Sequence, residues 1–370
     1  MSCSVSRSAL AAAVAMALFG ANAVRAEQSV VEDSPESADA TPGKRAAPWV
    51  SEAVNVTAKG TAADWPSALA TDVLTWQDAI GAPSDFQDLI TRVPGIGATG
   101  QNGIFETFSI RGSGGNGILV LVGGMPVTAQ RRAGVPVSFV EPSLLGEINV
   151  TRGPAVVHFG PGALGGAISI EPRWFDAATI AAGYANSGNE ANLMGGFGTD
   201  TFSIAAARHQ AGDSEAANGT PLNTSFQRES GSLQYRTQFA DYTLDALLLP
   251  SRTTNIGKSN SRFPTRDTTY PKDEHTVARL RLRRDNGFQA SVHSHDQSLI
   301  TYNQRPGSPD TYASVESTDV GVTVQQTFVV GDFSNDIGVE FLGRRGVTGF
   351  DADQLDRFII DERVEHPRRV

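Results

Sequence analysis

The chain has 370 residues, of which 40% are hydrophobic and 19% are charged, and its formal net charge is −10. This length predicts two or more domains, and the negative charge without a basic stretch argues against a general nucleic-acid binder. No apolar run in the sequence reaches the roughly 18–20 residues that a membrane-spanning helix needs.

Residues 1–26 have the pattern of a secretory signal. Arg7 supplies the positive start, residues 9–20 form an apolar segment too short to cross a bilayer, and we predict cleavage after Ala26. An ordinary N-terminal helix is the alternative. Cys3 is the single cysteine of the chain and lies within this segment. The mature protein is therefore expected to have no disulfide, no Cys metal site and no Cys nucleophile.

The next segments lead from a linker into the first predicted domain. Residues 27–50 are rich in Glu, Asp, Ser, Ala and Pro, which predicts a flexible exported linker. Residues 53–58 alternate at period two, as a first strand does and as a segment that docks on a partner also does. A helix is predicted over 85–93, because Ser84 can cap it, apolar residues recur at helical spacing and Pro94-Gly95 ends it.

Residues 95–100 match the dinucleotide-binding pattern G-x-G-x-x-G. That motif requires a preceding strand, a following helix and an acidic residue about 20 positions later. Here a helical pattern and Pro94 precede it, and the residues near position 120 are apolar. We therefore predict an exposed glycine-rich loop at this position and no nucleotide site.

Short strands then alternate with Gly and Pro turns up to residue 173. The strands are predicted over 104–110, 118–122, 147–151 and 167–171, with a short helical turn at 142–145. The five consecutive apolar residues at 118–122 predict a strand at the centre of a sheet. The loop at 125–137 is predicted to be exposed. Residues 51–173 are thus expected to form a small α+β domain without paired catalytic groups.

From residue 174 onwards the helical spacing disappears, and strands with alternating apolar and polar residues follow one another. The clearest examples are 232–239, 278–283, 288–293 and 337–341. This pattern is typical of a transmembrane β-barrel with a polar lumen, although a soluble antiparallel sandwich alternates in a similar way. Long polar loops near 212–225, 251–272 and 302–313 contrast with short turns at 198–200 and 285–287. Such unequal loops favour the barrel, because its two ends face different compartments.

Five segments together make the chain resemble the TonB-dependent outer-membrane receptors. They are DLITRVPGI at 88–96, IRG at 110–112, VLVGGMP at 120–126, INVTRGP at 148–154 and FGPGALGGAI at 159–168. The resemblance implies an α+β plug domain, here 51–173, inside an antiparallel transmembrane β-barrel of about 22 strands. Residues 174–370 would then be the N-terminal part of that barrel, which is incomplete.

The resemblance implies a receptor in the outer membrane of a Gram-negative cell, with no cofactor and no metal site of its own. It would take up a metal chelate, with a ferric siderophore as the leading expectation and haem or cobalamin as alternatives. An enzyme is disfavoured, because the sequence has no G-x-S-x-G, H-E-x-x-H or P-loop motif. The implied partners are the TonB energy-transducing complex of the inner membrane, the ferric chelate, outer-membrane lipid and the barrel-assembly machinery, but not nucleic acid.

The resemblance also implies roles for particular residues. The TonB box would be Glu52, Ala53, Val54, Asn55, Val56 and Thr57, with 29–33 as the alternative. Apical plug loops would place Gln101, Asn102, Arg131 and Arg132 near the ligand, unless these are ordinary solvated loop residues. Arg111 and Arg152 resemble plug arginines that pair with barrel-wall glutamates, so we expect them to form a latch.

Two features depart from the family pattern. Gly123 stands where the family has Asp, which leaves the contacts of that turn open. Residues 174–370 supply nine or ten strands at about 20 residues per strand and connection, against about 22 strands in the family. We therefore expect a fragment or the product of a truncated gene, and a non-transporting remnant is an alternative function.

Four arginines on the strands after residue 174 would face the lumen of such a barrel. They are Arg236, Arg279, Arg281 and Arg283. One interpretation is that they favour an anionic metal chelate, and the other is that they pair with acidic residues of the lumen. The sequence leaves both interpretations open.

Overall fold

The computed structural model describes residues 70–75, 86–99, 104, 107–127, 137, 139–159, 162–258, 267–330, 333–351 and 364–369. All of them belong to one compact unit. They form a small five-stranded sheet, a three-stranded sheet and a long ten-stranded sheet. The predicted signal at 1–26, the linker at 27–50 and the predicted TonB box lie outside the described residues.

The small sheet has the strand order β1-β7-β8-β5-β6. Its strands are β1 (Ala70–Thr75), β5 (Ile118–Val122), β6 (Met125–Val127), β7 (Leu145–Arg152) and β8 (Gly166–Pro172). β5 runs parallel to β8, and the other pairs are antiparallel. The prediction of a buried, interior strand at 118–122 is confirmed, because β5 lies between β8 and β6 and most of its side chains are buried.

The three-stranded sheet consists of β2 (Ile96–Thr99), β3 (Thr107–Ile110) and β4 (Ser113–Gly114). The prediction of an exposed loop at 95–100 was wrong for residues 96–99, which pair with β3 from Ile96–Ile110 to Thr99–Thr107. The reason is that β3, later in the chain, supplies the hydrogen-bonding partner for this short, glycine-containing segment. A local pattern of four residues does not reveal such a partner.

Two short α-helices and three 3₁₀ turns accompany the three sheets in the described part of the chain. They are α1 (Phe86–Ile90), α2 (Val156–Phe159) and the turns Gly115–Gly117, Pro142–Leu144 and Ser187–Asn189. The helix predicted over 85–93 is shorter than expected, but its apolar spacing correctly predicted the residues that are buried. Phe86, Leu89, Ile90 and Val93 are all buried, and they pack in one cluster with the strands of the small sheet. Full burial of each such side chain contributes about 1.5–3 kcal/mol.

The long sheet follows without a helix of its own, and each of its strands is antiparallel to the next along the chain. Its strands are β9 (Thr179–Ala185), β10 (Glu190–Gly198), β11 (Phe202–Ala211), β12 (Phe226–Phe239), β13 (Tyr242–Lys258), β14 (Asp267–Arg284), β15 (Phe288–Gln304), β16 (Thr311–Val330), β17 (Phe333–Asp351) and β18 (Val364–Arg369). We call this sheet the strand wall. Ten strands agree with the nine or ten that were predicted.

The two faces of the strand wall differ in chemistry. Leu233, Leu280, Val292, Val324 and Val339 lie on one face and are each more than two-fifths exposed. Residues at alternate positions point the other way, towards the small sheet, and many of those are polar or charged. The period-two prediction is therefore confirmed: an apolar outer face and a polar inner face are what lipid and a filled lumen require.

Short turns join the strands at one end of the wall and longer loops join them at the other. The short connections at 199–201, 240–241 and 285–287 include both predicted short turns. The predicted long loops at 251–272 and 302–313 were too long, because β13 continues to Lys258 and β15 to Gln304. Their polar residues pair across strands, as in the 3.4 Å contact between Arg252 Nε on β13 and Glu274 Oε1 on β14.

Candidate functional site

The small sheet packs directly against the inner face of the strand wall. Leu247 on β13 and Val277 on β14 belong to the same buried cluster as the residues of α1, β5 and β7. Gly123, in the turn between β5 and β6, has φ +57°, and a Cβ at this position would collide with the Leu247 side chain. The glycine at the position where the family has Asp therefore lets β13 approach this turn.

A buried cluster of charges forms a second contact between the two parts. Glu141, just before the 3₁₀ turn Pro142–Leu144, meets Arg228 of β12, with 3.0 Å between Arg228 Nε and Glu141 Oε2. Arg228 Nη1 also donates to the Val140 carbonyl at 2.9 Å. His209 of β11 lies with Nδ1 3.3 Å from Glu141 Oε2 and with Nε2 2.6 Å from Glu190 Oε1. We call these four side chains the Glu141 cluster.

The electrostatics of the Glu141 cluster favour an ionised carboxylate. Burial by itself raises the pKa of Glu141, but the charge of Arg228 and hydrogen bonds from His209 and Ser143 outweigh burial and lower the pKa to about 2. Both Glu141 and Arg228 are almost fully buried. Two desolvated charges hold together only with good geometry and satisfied partners, so this cluster specifies one position of the segment against the wall.

Residues 139–144, which we call the docking segment, touch the wall at three points. Phe139 stacks on the His275 ring at 4.0 Å between centroids, and His275 Nδ1 lies 2.9 Å from His295 Nε2. Glu141 meets Arg228 as described above. Leu144 packs in a buried cluster with Phe175 and residues of β10 and β11. The docking segment therefore bridges the strands from β10 to β15 and leads directly into β7.

The four arginines predicted to face a lumen do lie on the inner face. Arg236 Nε is 2.7 Å from Asp245 Oδ1, while Arg283 Nη2 and Arg281 Nη2 are 2.9 and 3.4 Å from Asp245 Oδ2. Arg279 Nη1 donates instead to the carbonyl of Gly123, in the turn of the small sheet. Three of the four arginines therefore pair with an acidic residue of the inner face, as one of the two interpretations predicted.

Glu171, at the end of β8, faces the same arginines. Burial raises the pKa of Glu171, and the charges of Arg279 and Arg281 act in the opposite direction without cancelling the effect of burial. Ser169 Oγ donates a hydrogen bond to Glu171 Oε1 at 3.4 Å. Glu171 therefore lies within electrostatic reach of Arg279 and Arg281 on β14.

Arg152, one of the two predicted latch residues, forms an ion pair inside the small sheet. Its Nε lies 2.7 Å from Asp72 Oδ2 on the edge strand β1, and its Nη1 donates to the Pro94 carbonyl at 3.3 Å. Thr71 and Thr151 add a side-chain contact of 3.3 Å between the same two strands. The expected pairing of Arg152 with a barrel-wall glutamate stays a prediction, and here the residue fastens β1 to β7.

Arg111, the other predicted latch residue, occupies a tight turn. Arg111 and Gly112 have φ values of +50° and +81°, and they join β3 to β4. Two positive φ angles in a two-residue connection are what a type I′ hairpin turn requires. The Arg111 backbone N–H donates to the Gly95 carbonyl at 2.7 Å, and the residue is exposed. Its role as a latch also stays a prediction.

Replacing Arg152 by glutamine should loosen the edge strand β1. We expect amide hydrogen exchange at 70–75 to speed up about fivefold, because a half-exposed ion pair contributes about 1 kcal/mol. Arg111→Gln is the matched control, since it removes the same charge from the exposed β3–β4 turn. Equal acceleration in the two variants, or none with Arg152→Gln, would contradict the role assigned to this pair.

The predicted ligand-binding residues Gln101, Asn102, Arg131 and Arg132 lie outside the described residues. So does the predicted TonB box at 52–57. Val137 and the docking segment lie directly after the loop that carries Arg131 and Arg132, and they are buried against the wall. From Val137 onwards the described chain is therefore held against the wall.

Sequence reasoning missed the Glu141 cluster. Glu141 and His209 are separated by 68 positions, and no spacing rule connects them. The available signal was the period-two pattern, which places His209 and Arg228 on the inner face of their strands and so predicts a need for partners. The pattern does not say which acid meets them.

Over the described ranges, no three His, Cys, Asp or Glu side chains are grouped so that they could hold a metal ion. None of the helices in the described part of the chain is long and apolar enough to cross a membrane.

Residues 69–167 match the family model described as the TonB-dependent Receptor Plug Domain. This range holds the three-stranded sheet, the docking segment and the small sheet up to the start of β8. Residues 69–167 are a TonB-dependent receptor plug domain. The small sheet with its surrounding elements is the plug, and the strand wall is part of an incomplete antiparallel barrel.

Named relatives agree with this assignment. The chain is 31% identical over 156 residues to the probable TonB-dependent siderophore receptor PirA of Acinetobacter baumannii, which covers 38% of this chain and 20% of that protein. It is 34% identical over 128 residues to a hemin receptor of Yersinia pestis, with 32% and 18% covered. The matched region thus spans about a fifth of each relative.

The fold also matches solved structures over a longer stretch. The copper transporter OprC superposes with a TM-score of 0.63 at 20% identity, covering 77% of this chain and 50% of that structure. At this identity the likeness concerns the fold. The plug together with its ten strands therefore corresponds to about half of that structure.

Proposed function

We propose that the protein is an outer-membrane receptor for energy-coupled uptake of a metal chelate, with a ferric siderophore as the substrate class. The observation that carries the proposal is the contact between plug and wall. The plug is held by buried ion pairs and hydrogen bonds at Glu141, Arg228 and Gly123 as well as by apolar packing. Water can replace polar contacts when a plug is pulled aside, whereas it cannot replace a purely apolar core.

The plug's edge strand supports the same function. β1 pairs only with β7 in the small sheet and is the first described strand after the proposed TonB box at 52–57. A pull on the box would therefore load β1 and its Asp72–Arg152 ion pair first. β7 would transmit that load to the docking segment, and from there to the loop with the proposed ligand residues Arg131 and Arg132.

The siderophore class rests on the relatives whose names state a ligand. One is a probable siderophore receptor and another a ferrienterobactin receptor of Escherichia coli, 33% identical over 101 residues. The hemin receptor of Yersinia pestis makes haem the second candidate. Among the inward-facing histidines, His295 is already bonded to His275 beneath Phe139, which places it behind the plug in this state.

Uptake assays test the proposal. The full gene product is expressed in a host that lacks its own receptors, and cells are given radiolabelled ferric enterobactin, haem or cobalamin. We expect energy-dependent uptake of the ferric chelate and about a tenfold weaker affinity in Arg131→Ala/Arg132→Ala, because two charged contacts are lost. Arg208→Ala, on the outer face, is the control. Binding without uptake in energised cells would refute transport, and uptake of haem alone would refute the siderophore class.

A further inference from the structure

The inner face of the wall carries a dense group of positive charges near its short-turn end. Arg279, Arg281 and Arg283 occupy alternate positions of β14, so they point the same way and are spaced about 7 Å apart along the strand. Arg236 stands at the height of Arg281, because Arg236 pairs with Asp245 and Asp245 pairs with Arg281 in the strand register. We call these four residues the arginine column.

The column holds more positive charge than its direct partners neutralise. Three guanidinium groups of the column share the two oxygens of Asp245. Glu171 is the second carboxylate that acts on Arg279 and Arg281, and it is held in place by a hydrogen bond from Ser169 Oγ. Three arginines on one aspartate leave a local excess of positive charge that attracts anions.

The plug covers the upper end of the column. Arg279 donates to the carbonyl of Gly123, a neutral acceptor that leaves the guanidinium charge unbalanced. In the part of the chain that the structure describes, the Nε atoms of Arg279 and Arg283 are buried without a hydrogen-bond acceptor. The side chains of Arg236 and Arg283, lower down, are 49% and 34% exposed. If the plug moves and the 123–124 turn leaves the wall, the Arg279 guanidinium becomes exposed. It then joins the side chains of Arg236 and Arg283, which are already partly exposed.

We propose that the arginine column is an anion-binding path for the cargo, covered by the plug turn at rest and completed when the plug moves. The inference rests on the proposed function and extends it to the inner half of the lumen. Its ligand is a chelate that carries carboxylate, catecholate or phosphate oxygens, since guanidinium groups bind planar oxyanions in a bidentate way. Successive sites about 7 Å apart let such an anion pass from one to the next.

Ion selectivity tests the path without any cargo. The full gene product is placed in a planar bilayer, the plug is displaced reversibly with urea, and the reversal potential is measured in a gradient of potassium chloride. We expect an anion-selective pore in the wild type and at least about a twofold lower chloride-to-potassium permeability ratio in Arg281→Gln/Arg283→Gln. Arg281→Lys/Arg283→Lys keeps the charge and should keep the selectivity, which also shows that substitution at these positions is tolerated.

Arg208→Gln removes a positive charge from the lipid face and should leave selectivity unaltered. A permeability ratio that is equal in the wild type and the glutamine variant would overturn the proposal. An equal decrease of the permeability ratio in Arg208→Gln and in the double glutamine variant would also overturn it. Because this measurement needs neither chelate nor TonB, an anion-selective column in a protein that fails to take up ferric enterobactin would refute the proposed function and leave the path standing.

Discussion

Glu141→Gln is expected to detach the docking segment from the barrel wall, with a loss of about 3–5 kcal/mol of docking free energy. The glutamine leaves Arg228 buried and without its ionised partner, and an uncompensated buried charge is what makes such a substitution costly. The measurement is amide hydrogen exchange over 139–152 in the detergent-solubilised full gene product. The protection of these amides from exchange should fall towards the value for a segment that opens without unfolding the rest of the protein.

Two comparisons separate this effect from a general loss of charge. Glu229→Gln breaks the 3.8 Å contact with Arg208 on the outer face, where both side chains are more than three-fifths exposed, and should change stability by at most about 1 kcal/mol. Glu141→Gln/Arg228→Gln removes both buried charges and should recover a large part of the loss. Unchanged protection in Glu141→Gln would rule out the Glu141 cluster as a docking contact.

The pH dependence of docking follows from the same cluster. The pKa of Glu141 is lowered to about 2 in the docked state, against an ordinary value of 4.5. The stabilisation by its carboxylate is therefore fully present above pH 4.5 and is lost as the pH falls through about 2. In Glu141→Gln the exchange protection of 139–152 should lose this acid-dependent component.

Gly166→Ala is expected to destabilise the plug by about 2–6 kcal/mol, the sum of backbone strain and overpacking of about 1–3 kcal/mol each. Gly166 begins β8 with φ +144°, and a Cβ there would overlap the Thr151 carbonyl oxygen of β7 and lie 2.9 Å from Ile110 Cδ1. A backbone oxygen cannot move aside as a side chain can. Calorimetry of the full gene product should show the plug transition lowered by about 10 °C or more.

Gly153→Ala is the matched control for this substitution. Gly153 also has a positive φ, +110°, but a Cβ there would meet nothing within 4 Å. Its cost should be limited to backbone strain of about 1–3 kcal/mol. If Gly153→Ala lowers the temperature of the plug transition as far as Gly166→Ala does, the close approach of β7 and β8 is not the reason why position 166 requires glycine.

Local patterns predicted most elements of the fold. The strand at 118–122 was recognisable because five apolar residues stand between glycines, and the wall was recognisable from alternation at 232–239 and 278–283. The strand at 96–99 was missed because its partner lies elsewhere in the chain. The ends of β13 and β15 were missed because polar cross-strand pairs extend them beyond the apolar part of the pattern.

The candidate site was less predictable than the fold. The sequence placed Arg236 and the arginines of β14 on an inner face, and the structure adds that Asp245 holds three of them. Arg152 was predicted to face a barrel acid, and within the described residues it pairs with Asp72 of the plug. Glu141 carried no signal at all, since an acid before a proline in a loop is ordinary until its partners are known.

The sequence by itself determined the plug and the inner and outer faces of the strands, because these depend on residues close together in the chain. Only the tertiary structure decided which charges meet. Glu141 with Arg228, Gly123 with Arg279 and three arginines with Asp245 are contacts between distant strands. Their energies depend on burial and on distances of a few ångströms, and neither quantity is encoded in the spacing of residues along the chain.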